Sequence, residues 1–219
     1  YAAQREPRFS HLARTGDGGT QAVTTDGSIL WSAPLIDAEA GSVVARLHED
    51  EPPRVVMAER PGGTYEGRFT RRLSILDADT GRVLRHVELE SGASHFPGFA
   101  DQYAPVLRAV DLDGDGLDEI VASYFHNPYW PSYTVLYEPR IERSRLVFLA
   151  SGHHRFAGAE DLDGDGQPEL LFYGINNRMG WYTAVAAVKL SPPTNEVSRE
   201  LDRPSVDEST PNTPDASVA

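Results

Sequence analysis

The chain has 219 residues, 40% of them hydrophobic, which is enough apolar material for a packed core and argues against disorder throughout. Its formal net charge of −13 argues against a nucleic-acid backbone or an anionic membrane surface as main partner, since both would be repelled, and leaves cations as the natural counter-charge. Cysteine is absent, which excludes disulfides, a thiolate nucleophile and cysteine-ligated zinc.

Residues 1–19, YAAQREPRFSHLARTGDGG, are polar and are expected to form an N-terminal arm. They lack the apolar centre of a signal peptide, and no run approaches the roughly 20 apolar residues of a membrane span, so any signal or anchor is expected outside this sequence. From residue 20 to 190 the chain alternates short runs rich in Val, Ile, Leu and aromatics with Gly, Pro, Asp and Asn, and no window holds a long 3.6-residue apolar stripe. In order, the expected strands are QAVTT, SILWSAPL, SVVARLH, RVVMAER, RLSILDA, RVLRHVEL, VLRAVDL, EIVASYF, SYTVLYE, RLVFLASG, ELLFYGI and YTAVAAVKL. TDGS around Gly27 and DADTGR around Gly81 read as hairpin connections, with glycine supplying a positive φ. Residues 191–219 are rich in Pro, Ser, Thr and acids and read as a disordered tail or linker.

The fold class is therefore all-β, and a repeat sharpens it. DLDGDGLDEIV, from residue 111, aligns without a gap with DLDGDGQPELL, from residue 161, and with RLHEDEPPRVV, from residue 46. The third copy has lost the acidic pattern and kept the strand that follows. Successive starts leave room for about four short strands, which points to β-propeller blades of four antiparallel strands. A dozen strands make about three blades, fewer than the four to eight of a closed ring, so residues 20–190 are expected to be part of a larger propeller or to be completed by another chain.

The acidic loops have the chemistry of a hard cation. Calcium takes six to eight oxygen ligands at about 2.3–2.6 Å, and acids at positions one, three and five can point inward while glycines let the backbone curl. Asp111, Asp113 and Asp115 form one set and Asp161, Asp163 and Asp165 the other, with backbone carbonyls of Leu117 and Gln167 at position seven and Glu119 and Glu169 at position nine. Two Ca2+ sites are expected. An EF-hand is excluded, because position twelve is Ala122 or Phe172 and both lie in apparent strands. At millimolar calcium such loops brace a fold, and cytosolic calcium would leave them unfilled.

The pattern D-x-D-G-D-G-x-x-[DE] before an apolar strand resembles the FG-GAP or VCBS repeat of integrin α-type propellers and bacterial surface proteins. RFAGAEDLDGDG, residues 155–166, also resembles the Phe-Gly lead-in of that family. The resemblance spans residues 46–190, with two good motifs and one degenerate one, and both good copies carry Glu at position nine. It implies calcium bound at the positions just named, within a blade.

Beside the loops, YFHNPYWPSY and NNRMGWY offer aromatics on inter-strand connections, and Tyr124, His126, Tyr129, Trp130, Tyr133 and Trp181 are the candidate contacts to a protein or glycan partner. Packing of the same rings over a blade edge is the competing expectation. His95, His126, His153 and His154 show no metal-binding spacing. No nucleophile elbow, phosphate loop or HExxH motif occurs. The sequence thus reads as a calcium-binding, non-catalytic recognition or scaffold module at an extracellular, cell-surface or periplasmic location, with a role in adhesion or carbohydrate binding. Its rivals are a propeller fragment of a calcium-dependent polysaccharide lyase, to which the loops also bear a resemblance, and the ectodomain of a membrane-anchored sensor.

Overall fold

A computed structural model describes residues 7–16, 19–33, 41–58, 72–89, 105–125, 132–176 and 182–190. Among them the regular structure is β-strand throughout, apart from one 3-10 turn at Pro139–Ile141. The first sheet holds β1 (His11–Arg14), β2 (Thr20–Val23) and β3 (Ile29–Ala33), and the second β4 (Ser42–Ala45), β5 (Arg54–Ala58), β6 (Arg72–Asp77) and β7 (Val83–Glu88). The third sheet holds β8 (Val106–Val110), β9 (Glu119–Phe125), β10 (Ser132–Glu138) and β11 (Arg143–Ala150), and the fourth β12 (Gly152–Glu160), β13 (Glu169–Asn176) and β14 (Tyr182–Lys189). Each sheet is an antiparallel meander in which neighbours in sequence are neighbours in space.

The sheets stack face to face in chain order, and the two-residue side-chain period explains how. Along β5, Val55 and Met57 pack against Ala22, Trp31 and Ala33 of the first sheet, whereas Val56 and Ala58 join a cluster with Leu107, Ile120 and Val135 of the third. The same division recurs in β9, where Ile120 and Ala122 face the second sheet and Val121 meets Leu170 and Phe172 of the fourth. Inner strands therefore read as continuous apolar runs, because both of their faces are covered. β14 has one covered face and shows an alternating burial pattern.

Local chemistry sets the joints. In the β6–β7 hairpin, Asp77 Oδ1 accepts from the N–H groups of Asp79 and Thr80, at 3.2 and 2.9 Å, and Gly81 takes φ +68°. A Cβ on Gly81 would lie 2.5 Å from the ring of Trp31, whose Nε1 donates to Ala78 O at 2.8 Å and ties the first sheet to the second. Gly174 is needed for another reason: a Cβ there would lie 1.7 Å from His153 O on the adjacent strand.

The four stacked meanders are β-propeller blades in type, in an arc that does not close among the described residues. The count differs from the expected three because two strands do not show the apolar signature. β1 lies inside the segment read as a polar arm and is held by pairing Leu12 with Ala22 and Ala13 with Gln21. β12, GHHRFAGAE, has few large apolar residues and is held by its register with β13, interrupted by an irregularity between Phe156 and Gly158. The tail at 191–219 lies outside the described residues.

Candidate metal centre

Both acidic loops occupy one topological place, the connection from first to second strand of a sheet: β8 to β9 and β12 to β13. Their backbones are near copies. Asp111 Oδ1 accepts from Gly114 N at 2.8 Å and its Oδ2 from Gly116 N at 3.0 Å; Asp161 does the same with Gly164 and Gly166, at 2.8 Å each. Further along, Asp115 Oδ1 accepts from Leu117 N at 2.8 Å and Asp165 Oδ1 from Gln167 N at 2.9 Å. The glycines sit at φ +75° and +84° in the first loop and +76° and +85° in the second, a region that side chains with a Cβ resist. Position nine closes each loop: Glu119 Oε2 accepts from Leu112 N and Glu169 Oε2 from Leu162 N, both at 2.9 Å.

The carboxylates converge. Asp111, Asp113 and Asp115 have oxygens within 4.8 Å of one another, as do Asp161, Asp163 and Glu169, and among the described residues these groups contain no histidine. Glu119 and Glu169 are buried. Burial, opposed by the Leu112 N–H, and then the charges of Asp113 and Asp115 push Glu119 up to about 7. Glu169 is 6% exposed, and its Oε1 accepts no hydrogen bond. A buried carboxylate oxygen without a donor is costly unless a cation reaches it, so this arrangement fits a metal ion. The two clusters can hold a hard divalent cation through oxygen ligands, and the main-chain N–H groups of Leu117 and Gln167 fix their residues at position seven.

Three partners of these loops were not foreseen from sequence. Asp118, the eighth residue of the first loop, clasps the second sheet: its Oδ2 accepts from Arg46 N and its N–H donates to Arg46 O, both at 2.7 Å. Pro168 stands at the matching position of the second loop and has no N–H to offer. Arg140 Nη1 reaches Asp115 Oδ2 at 2.8 Å. Lys189 Nζ lies 2.7 Å from Asp163 Oδ2, 2.5 Å from Asp165 Oδ2 and 3.9 Å from Glu169 Oε1. Hydrogen bonds to the two aspartates hold the Lys189 ammonium above its ordinary pKa, and that from Lys189 lowers Asp165. In the degenerate loop at residues 46–54, position nine is Arg54, whose guanidinium pairs with Glu51 at 3.1 Å and Asp77 at 3.0 Å.

The candidate partner contacts separate into two groups. Tyr124 and Tyr133 are not on an exposed loop: they face each other across β9 and β10, stack with ring centroids 4.9 Å apart, and are buried in the core between the second and third sheets. An aromatic cross-strand pair is worth more in that core than at the surface, and it removes both from the list of partner contacts. His126, Tyr129, Trp130 and Trp181 lie outside the described residues, as does His95. His154 is buried against Phe148, and burial, followed by the charges of Arg155 and His154, lowers the pKa of His153.

The fold and site define an all-β stack of blade-type sheets carrying two oxygen-rich acidic loops. No protein-family profile and no curated protein sequence matches the chain. Solved structures with partial similarity to it include the exotype rhamnogalacturonan lyase YesX, with 20% identity and a TM-score of 0.47, and a Bacillus licheniformis rhamnogalacturonan lyase PL11, with 19% identity and a TM-score of 0.47. The likeness covers 77% of this chain in both cases, and 34% and 35% of theirs, so the chain spans about a third of the length of these lyases. The Dos1 propeller shares 13% identity at a TM-score of 0.41, over 81% of this chain and 44% of that one.

Proposed function

We propose that each acidic loop binds one calcium ion and that the chain is a calcium-braced propeller segment, of FG-GAP type, serving outside the cytoplasm as a recognition or scaffold module for a protein or glycan. The observation that carries the metal reading is the duplication of geometry: two loops fifty residues apart in sequence hold matching aspartate-to-glycine hydrogen bonds, and glycine φ angles that differ by 1° at each pair. The Oε1 of buried Glu169, which accepts no hydrogen bond and has Lys189 at 3.9 Å, adds an acceptor that a closer cation would satisfy.

A brace without chemistry of its own is the reading the neighbouring cations favour. A lyase centre needs Arg, Lys or His free to meet a sugar beside the metal, whereas Arg140, beside the first loop, is engaged with Asp115. Isothermal calorimetry of chelator-treated protein with calcium is the test. Two sites are expected, with Kd around 10⁻⁴ M, and an ion at ten times its Kd would stabilise the fold by about 1.4 kcal/mol. Absence of both binding heat and any calcium-dependent rise in melting temperature would refute the proposal.

A further inference from the structure

The two loops share a backbone and differ in the cation that already stands beside them. In the fourth sheet, Glu169 pairs in register with Lys189, so the strand that follows the loop delivers an ammonium to the carboxylates of positions three, five and nine. In the third sheet, Tyr137 lies opposite Ile120, and continuing that register by one residue brings Glu138 to Glu119. An acid thus takes the place of the lysine, and Glu138 is itself held by Arg145 at 3.1 Å. In the second sheet the exchange is complete: Arg54 occupies position nine and pairs across the ladder with Asp77.

The consequence shows in the carboxylates. The first loop keeps Asp111, Asp113 and Asp115 within one 4.8 Å group although Arg140 touches the outer oxygen of Asp115. In the second, Asp165 leans to Lys189 and drops out of the group, which consists of Asp161, Asp163 and Glu169. Buried Glu169, whose Oε1 accepts no hydrogen bond, still points to a cation that the lysine at 3.9 Å does not replace.

We infer that Lys189 is a tethered competitor for the divalent ion of the second loop, which therefore fills at higher calcium than the first and does so by displacing the ammonium. This rests on the calcium reading above and assigns it an order of filling. An ion entering the second loop must swing Lys189 away from Asp163 and Asp165, whose carboxylates it needs; the exposed lysine stem has solvent into which to move. Among the described residues no lysine stands on the carboxylates of the first loop, where Arg140 touches Asp115 alone.

The test is calcium titration by calorimetry on protein carrying Asp113→Asn, which disables the first loop, with and without Lys189→Met and Lys189→Arg. Removing the cation is expected to tighten calcium binding at the second loop roughly five- to tenfold, and the arginine variant to keep the weak affinity. A melting series separates competition from a merely structural role: Lys189→Met should lower the melting temperature without calcium and enlarge the rise that calcium produces. Equal or weaker calcium affinity in Lys189→Met overturns the inference while leaving the calcium reading intact. No calcium binding to either loop, in the parent or the variants, overturns both.

Discussion

The first and second acidic loops have one backbone and two surroundings. Leu112, the second residue of the first loop, is 7% exposed and packs in the cluster with Val121, Leu170 and Phe172, whereas its counterpart Leu162 is 59% exposed. Leu117 is buried where Gln167 faces solvent, and Asp118 is bonded to the neighbouring sheet where Pro168 cannot be. Local sequence therefore determines the curl of such a loop, and the adjoining sheet determines how rigidly the curl is held. A loop gripped from outside is expected to keep its carboxylates converged without an ion; one that projects depends more on the cation within it.

The widest separation between the loops should come from apolar truncation. Leu112→Ala is expected to cost about 3 kcal/mol in chemical denaturation and Leu162→Ala less than about 0.5, since only the former opens a cavity; equal costs would break the comparison. Next, Asp111→Ala and Asp161→Ala each remove an acceptor of two glycine N–H bonds. Both should destabilise by about 1–2 kcal/mol and abolish calcium uptake at their own loop alone, as calorimetry would show. Asp118→Ala, which deletes the side-chain half of the clasp on Arg46, should cost about 1 kcal/mol, with Pro168→Ala close to neutral in the same denaturation experiment.

A pH dependence of the metal-free protein tests the first loop in another way. Glu119 has a folded-state pKa of about 7 against an ordinary 4.5, so between those values the folded chain binds more protons than the unfolded one. Stability from this group is then full below pH 4.5 and is lost as pH rises through about 7, a difference of up to about 3 kcal/mol that melting at pH 5 and pH 8 would register. Glu119→Gln should flatten that contribution. Calcium, which binds the ionised carboxylate, should bind the first loop less tightly at pH 6 than at pH 8.

Much of this was legible in the sequence because it is written at short range. Alternation and apolar runs locate twelve of the described strands, and the spacing of aspartates and glycines marks both loops. What remained hidden depends on pairing across distance. β12 has a polar, alanine- and glycine-rich sequence that becomes a strand through its ladder with β13, and β1 is recruited from a polar segment by β2. Lys189 meets the second loop through the register of β13 with β14, and Asp118 meets Arg46 through the stacking of two sheets. Tyr124 and Tyr133 looked like loop aromatics because a cross-strand stack joins residues flanking a connection whose course the sequence does not reveal.

Among the described residues the core clusters join only successive sheets, the first to the second, the second to the third and the third to the fourth. Such a one-dimensional array has nearest-neighbour cooperativity, and its end units have half the stabilising contacts of its inner ones. Unfolding should accordingly advance inward like fraying, and amide hydrogen exchange should grade along the chain, slowest in β5, β9 and β10 and fastest in β1 and β14. Calcium in the two loops, set in the third and fourth sheets, would retard that front from one end only, leaving the first sheet as the place where opening begins.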